Sequence, residues 1–213
     1  MSRYLKMNYC KICFNEINDF SLYSLVNKNN LLCESCFHKF QAKFINFNIN
    51  NVHGLAIYEY DQTIKELIYK FKGCYDYELK DVFLSRYLPY LRLKYKGYLI
   101  VPMPSYYIDD EKRGYNHVIE IYKSLNLEIC PLIYKAKKHK QSDHSSKGRM
   151  DISNVLKLKE NVSMKGKKLL LVDDIFTTGS TLFTAIEIIK KLNPKKMEIL
   201  VVAKTKYKTK KKY

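Results

Sequence analysis

Leu169-Leu170-Leu171-Val172-Asp173-Asp174-Ile175-Phe176-Thr177-Thr178-Gly179-Ser180-Thr181 is the stretch that decides the fold. Its four leading apolar residues read as a strand buried on both faces, which is the pattern of a parallel sheet. Two adjacent carboxylates follow, then a turn of small residues that bear hydroxyls around one glycine. From Thr181 the chain reads as a helix with Leu182, Ala185, Ile186, Ile189 and Leu192 on one stripe, stopped by Asn193-Pro194. A hydroxyl-rich turn at a helix N-terminus gathers free N–H groups, side-chain hydroxyls and the positive end of the helix dipole at one point, where a phosphate is favoured. The carboxylates repel a phosphate, so they suit another part of the same ligand. A vicinal diol fits, because each carboxylate accepts a charge-assisted hydrogen bond from a sugar hydroxyl. The implied ligand is a ribose that carries a 5′-phosphate.

This pattern resembles the phosphoribosyl-pyrophosphate (PRPP) motif of type I phosphoribosyltransferases: an apolar strand, two acids, two further residues, then T-T-G-S/A-T. No Gly-Lys-Ser/Thr closes it as in a Walker loop, and it lacks the three glycines of a Rossmann fingerprint. The expected roles are the ribose diol for Asp173 and Asp174, and the 5′-phosphate for Thr177, Thr178, Gly179, Ser180 and Thr181. Mg²⁺ is expected with PRPP, bridging pyrophosphate and ribose oxygens mostly through water and ligand. No residue stands out as a nucleophile, so catalysis would consist of positioning and neutralising the departing pyrophosphate.

The 213 residues leave room for one α/β domain and a small appendage. No apolar run is long enough to cross a membrane and the first residues lack the apolar core of a signal peptide, so a cytoplasmic protein is expected. Net charge is +17; residues 204–213 hold six lysines and no acid, so +11 remains on the body. That balance suits a polyanionic partner, either nucleic acid or a phosphorylated small molecule, and equally a plain lysine-rich surface. Of six cysteines, four form Cys10-x-x-Cys13 and Cys33-x-x-Cys36 with nineteen residues between the pairs. The spacing fits two knuckles around a structural Zn²⁺. Metal binding would supply about 10–16 kcal/mol to a segment too short to bury its own core. His38 could compete as a ligand, and Cys74 and Cys130 read as core thiols.

Further along, residues 52–60 read as a strand and 62–72 as a helix capped by Asp61 and ended by Gly73. A second helix is expected over 77–95, kinked or split at Pro89. The buried strand Tyr98-Leu99-Ile100-Val101 runs into Pro102-Met103-Pro104, and such a turn lies on the ligand-binding rim of an open α/β sheet. Residues 109–117, charged with one glycine, read as a mobile loop in which Lys112 and Arg113 fold over a pyrophosphate. A strand is expected near 129–134, a polar basic loop over 135–149 that includes His139 and His144, and a last strand over 197–203.

The order of these features resembles the ComF family, phosphoribosyltransferase-like proteins linked to DNA uptake in competence. It comprises the four-cysteine knuckles, Tyr58-x-Tyr60 before Ile64-Lys65-Glu66-Leu67-Ile68, then Val101-Pro102-Met103-Pro104. After these come Arg113-Gly114-Tyr115-Asn116-His117, Gln141 ahead of Arg149, and the PRPP stretch. The family usually reads R-G-F-N-Q where this chain has R-G-Y-N-H, which leaves the role of His117 open. The expected organisation is a zinc module over 1–48, a phosphoribosyltransferase-like domain over 49–204 with a largely parallel sheet flanked by helices, and a basic tail over 205–213. The resemblance implies binding of PRPP or a ribose-5-phosphate nucleotide in the service of DNA uptake. A rival reading is a non-catalytic factor that binds single-stranded DNA, for which the basic segments and nineteen tyrosines speak. A third is a zinc-stabilised module that recruits a competence helicase or the uptake machinery.

Overall fold

The computed structural model describes residues 9–17, 31–135, 156–160 and 162–206. Seven strands and six α-helices lie within them. The strands are β1 (Ile45–Ile49), β2 (Val52–Glu59), β3 (Tyr98–Pro102), β4 (Ile133–Lys135), β5 (Leu156–Leu158), β6 (Lys168–Phe176) and β7 (Lys196–Lys204). The helices are α1 (Glu34–Lys39), α2 (Gln62–Gly73), α3 (Leu88–Lys94), α4 (Tyr107–Arg113), α5 (His117–Tyr122) and α6 (Ser180–Lys190). Five strands form one sheet in the order β1-β2-β7-β6-β3, and β4 pairs with β5 in a separate hairpin. All neighbours in the large sheet are parallel except β1 and β2. This is the expected architecture, a largely parallel α/β sheet with β6 near its centre.

β6 owes its place to its alternation. Leu169 and Leu171 pack with Ile199, Val201 and the α6 residues Leu182, Ala185, Ile186 and Ile189 on one face. Leu170 and Val172 pack on the other with Leu200, Val202, the α2 residues Ile64, Leu67 and Phe71, and Val118 and Tyr122 of α5. A strand covered by helices on both sides must be apolar at every position, and residues 169–172 all have zero exposure. The alternation carries on into the two acids, so Asp173 leaves on the α6 side and Asp174 on the α2 and α5 side.

Four sequence expectations are corrected. Residues 77–95 do not form one helix: 3₁₀ turns over Tyr77–Asp81 and Ser85–Tyr87 precede α3, which starts with Pro89 in its first turn, where proline is tolerated. Residues 109–117 are not a loop: they contain the end of α4, a corner and the start of α5. β1 was not foreseen, because its alternating Asn46 and Asn48 mask a strand whose Phe47 is buried; the expected module boundary after residue 48 falls inside it. Cys74 is exposed and Cys130 half-buried, so neither is a core thiol. The basic loop beyond Lys135, with His139, Gln141, His144 and Arg149, and the tail beyond 206 lie outside the described residues.

β1 depends on a glycine. Phe47 faces Gly54 in the β1–β2 register, and its ring stacks on Phe176 at 4.4 Å between centroids. A Cβ at Gly54 would lie 2.4 Å from the Phe47 ring. Gly54→Ala should therefore push Phe47 off Phe176 and destabilise the domain by about 1–3 kcal/mol. A denaturant melt with an unchanged midpoint would refute this.

Candidate functional site

The turn after β6 presents Thr177, Thr178, Ser180 and Thr181 exposed, with Gly179 buried beneath them. Gly179 is needed twice over. Its φ is +76°, a left-handed value that costs other residues, and a Cβ there would lie 2.8 Å from both Ile49 and the Phe176 ring. From this residue α6 starts with no cap from Gly179; Ser180 N–H makes a long bond of 3.5 Å to Thr178 Oγ1, and the first turn of the helix faces the concavity. Phe183 N–H donates to the Gly179 carbonyl at 2.7 Å and closes the first helical turn. Asp173, Gly179 and the hydroxyl residues at 177, 178, 180 and 181 line a small concavity of ≈ 40 Å³.

A larger pocket of ≈ 180 Å³ adjoins it, sharing Asp173 and Thr181. Its walls include Lys72, Met103, Pro104, Arg113, His117 and Asp174. Met103 N–H donates to the Val172 carbonyl at 2.8 Å, which pins the Pro102-Met103-Pro104 turn to β6 beside the acids. Of the expected pyrophosphate loop, Met103, Pro104 and Arg113 reach this pocket; Pro102 is buried at the end of β3, and Lys112 is exposed away from it.

Arg113 is not free to fold over a ligand. Its Nε donates to the Asp109 carbonyl at 2.9 Å, one terminal nitrogen pairs with Asp110 at 3.4 Å, and the other faces His117 Nδ1 at 2.9 Å. The segment Arg113-Gly114-Tyr115-Asn116-His117 is a corner in which every residue has a task. Gly114, at φ +77°, ends α4 in the left-handed region. Asn116 caps α5 by accepting from Ile119 N–H at 2.9 Å, and its amide donates to Asp110 and Ser105. Tyr115 stacks on Phe71 at 5.5 Å and donates its hydroxyl proton to the Phe71 carbonyl at 2.7 Å, which fixes the end of α2. His117 is 3% exposed, and its Nε2 lies 3.1 Å from Asp174 Oδ2. Since arginine has no acceptor, Nδ1 must accept from Arg113, so Nε2 carries the proton and donates to Asp174.

The two acids are thus unlike. Asp174 is buried, and its Oδ1 accepts from Ile175 N–H at 2.7 Å while Oδ2 meets His117 and, at 3.0 Å, Lys72 Nζ. Burial alone would push its pKa up, but the His117 bond and the Lys72 charge outweigh it and hold the carboxyl below the usual range. Asp173 accepts one backbone bond, from Asp174 N–H at 2.9 Å; burial and the neighbouring Asp174 charge push its pKa well above the ordinary value. Buried Tyr122 sets its hydroxyl between the carbonyls of Asp173 and Leu200, at 2.9 and 3.0 Å, which fixes the strand just where the acids emerge. Lys72, Ser105 and Asp110 were not singled out from sequence, and Asn116 only as part of the Arg113-to-His117 motif. Lys72 is one lysine among many, and the others carry no local signal beyond the corner itself.

The four N-terminal cysteines converge. Their sulfurs all lie within 4.8 Å of one another, with no disulfide, and Cys10 and Cys36 are buried. Tetrahedral thiolates at zinc would stand about 3.8 Å apart, and Cys13 and Cys33 lie at 3.5 Å. Burial opposes the Cys10 thiolate, but backbone bonds around Cys13, Cys33 and Ile12 outweigh it and bring its pKa down to about 7. The donor set fits zinc. His38 lies outside the cluster, 3.7 Å from Glu34.

The profile of the phosphoribosyl transferase domain matches residues 111–213. The chain is 32% identical over 127 residues to competence protein ComFC of Streptococcus pneumoniae, covering 60% of this chain and 57% of that one. It is 28% identical over 132 residues to competence protein ComFC of Bacillus subtilis, covering 61% and 55%. It therefore spans little more than half the length of these relatives. A hypoxanthine phosphoribosyltransferase of Staphylococcus aureus aligns at 13% identity with a TM-score of 0.37, over 60% of this chain and 72% of that one, a likeness too slight to bear on the site.

The unlike acids predict opposite variants. Asp174, with a lowered pKa, stabilises the fold above the unfolded carboxylate range and loses that contribution as pH falls through its own pKa. Asp173, with a raised pKa, costs stability as pH rises above that same range. Thermal melts at pH 7 should therefore show Asp174→Asn destabilised by about 1–3 kcal/mol and Asp173→Asn stabilised, with both differences shrinking toward pH 3. Two variants that shift in the same direction would contradict this account.

Proposed function

We propose, for a chain that is a phosphoribosyltransferase-like protein of the ComF family, that the joined pockets bind PRPP or a ribose-5-phosphate nucleotide together with Mg²⁺. One observation carries the reading: a glycine-dependent phosphate cradle and an acid-lined pocket share Asp173 and Thr181, so one ligand can span both. The 5′-phosphate sits on the turn over 177–181, where hydroxyls and the α6 N-terminus receive it. Asp173 and Asp174 take the ribose diol, and the Met103-Pro104 backbone borders the pyrophosphate. Magnesium, when bound with the pyrophosphate, neutralises its oxygens and favours its departure. The chain's own residues orient the sugar: Asp173 offers its carboxylate, His117 holds the Asp174 carboxylate, and Tyr122 fixes the Asp173 main-chain carbonyl.

In this reading the phosphoribosyl site serves DNA uptake, which the resemblance to the ComF family implies; the relatives themselves are named competence proteins. The cysteine cluster holds structural Zn²⁺, and the zinc module would present a face to a competence helicase or the uptake machinery. The runner-up is binding of single-stranded DNA, which the half-exposed Tyr77 under Lys80, at 3.8 Å, favours as a stacking platform.

Calorimetric titration of zinc-loaded protein with PRPP should show Mg²⁺-dependent, micromolar binding. Asp173→Asn, which keeps the fold, should weaken it at least about tenfold. Folded protein that takes up no PRPP would overturn this reading in favour of DNA, whose affinity must then fall with salt. Independently, Cys10→Ser should lose bound zinc in metal analysis and melt at lower temperature; full zinc retention would remove the ion from this cluster.

A further inference from the structure

Asp174 is given its donors in unequal ways. Ile175 N–H is fixed by the backbone, and His117 is buried and held from behind by Arg113. The third donor, Lys72, has a side chain 42% exposed on the last turn of α2 and reaches Asp174 Oδ2 at 3.0 Å across the pocket wall. An ammonium on a four-carbon stem can swing into water at small cost, whereas the other two donors cannot move without unmaking β6 or the α4–α5 corner. Charge gives Lys72 a second distinction. Among the described residues Lys72 carries the one ammonium in hydrogen-bond contact with Asp174.

A divalent ion drawn to the acid pair meets this contact first. Mg²⁺ is held through one or two carboxylates plus water and ligand oxygens, and Asp173 and Asp174 both border this pocket, Asp174 from the side that Lys72 guards. A cation approaching Asp174 Oδ2 must repel and displace the ammonium, and by itself it offers Lys72 nothing in exchange. A pyrophosphate does, because its oxygens accept the released ammonium while they bind the ion. We infer that Lys72 is a resident counter-ion of Asp174, a positioning residue that bars a bare divalent ion and admits one that arrives with a polyphosphate. The inference rests on the ribosyl-phosphate reading for the identity of the polyphosphate. The competition between Lys72 and the ion for Asp174 does not depend on it.

Mn²⁺ is the probe, with free ion read by electron paramagnetic resonance on zinc-loaded full chain. Lys72→Met should bind Mn²⁺ alone about tenfold more tightly than wild type, a coupling of ordinary size, and Lys72→Arg should not. Adding Asp174→Asn to Lys72→Met should abolish the gain. Lys72→Gln repeats the measurement should the methionine variant fold poorly. Equal Mn²⁺ affinity in folded Lys72→Met and wild type, or a gain that survives Asp174→Asn, would overturn the role of Lys72. The failures separate cleanly. A Lys72→Met gain in a protein that never binds PRPP sinks the ribosyl-phosphate reading alone. Wild-type PRPP binding with no Lys72→Met gain sinks this inference alone.

Discussion

A carboxylate taken out of water has to be matched donor for donor, and Asp174 sets that requirement for the whole upper edge of the sheet. Its burial follows from position: it continues the alternation of Leu170 and Val172 into the helical layer of α2 and α5, where an unmatched charge would cost several kcal/mol, roughly the margin by which a domain is stable. Three donors meet it, and each recruits further structure. His117 needs an oriented ring, which Arg113 supplies; Arg113 needs its own acceptors, which the end of α4 and Asp110 supply. Lys72 needs α2 to end at the pocket, which Tyr115 ensures through the Phe71 carbonyl. The corner between α4 and α5 is thus built around one acid at the end of one strand.

The same logic explains why the acids are adjacent yet unequal. Neighbouring residues on a strand leave on opposite sides, so one carboxylate faces α2 and α5 and the other borders the hydroxyl turn. The helix-facing one is saturated and held ionised. The other accepts one backbone bond, and burial together with its charged neighbour raises its pKa. A site with two equivalent acids would hold two negative charges a few ångströms apart with nothing to offset them. Dividing their roles keeps one charged through three donors, of which Lys72 alone can withdraw for a ligand, while the other meets the ligand directly.

Legibility in the sequence followed how local each feature is. β6, its acids, the glycine turn and α6 were all readable, because apolar run, hydroxyl turn and helical stripe lie in one continuous stretch. The Asp61 cap and the start of α2 were readable for the same reason, since a cap is recognised within four residues. The corner was misread as a loop: charge and glycine are what a loop also shows, and the burial of Arg113 depends on partners in α4 and α5 rather than on its neighbours alone. β1 was hidden because Asn46 and Asn48 lower its apolar content while Phe47 does the packing against Gly54 and Phe176. Lys72 could not be told from other lysines, for its meaning comes from an acid 102 residues away.

The four-cysteine segment shares this framework without supplying it. It docks through Phe40 in the core, Arg86 over the Phe37 ring at 3.4 Å, and an exposed ion pair between Lys11 and Glu78. Glu78 belongs to the 3₁₀ turn whose Tyr77 lies edge-on to Tyr115 and donates to Glu120, so the module abuts the scaffold that positions Lys72 and His117. Exposed ion pairs are weak, about 1 kcal/mol or less, so they transmit little strain. The apolar contacts of Phe40, Ile12 and Leu32 carry the docking instead, and these join the sheet on the α2 side, the side on which Asp174 is matched. Zinc bound by the four cysteines would therefore add its stability to the layer that holds Asp174, while the hydroxyl turn lies on the α6 face.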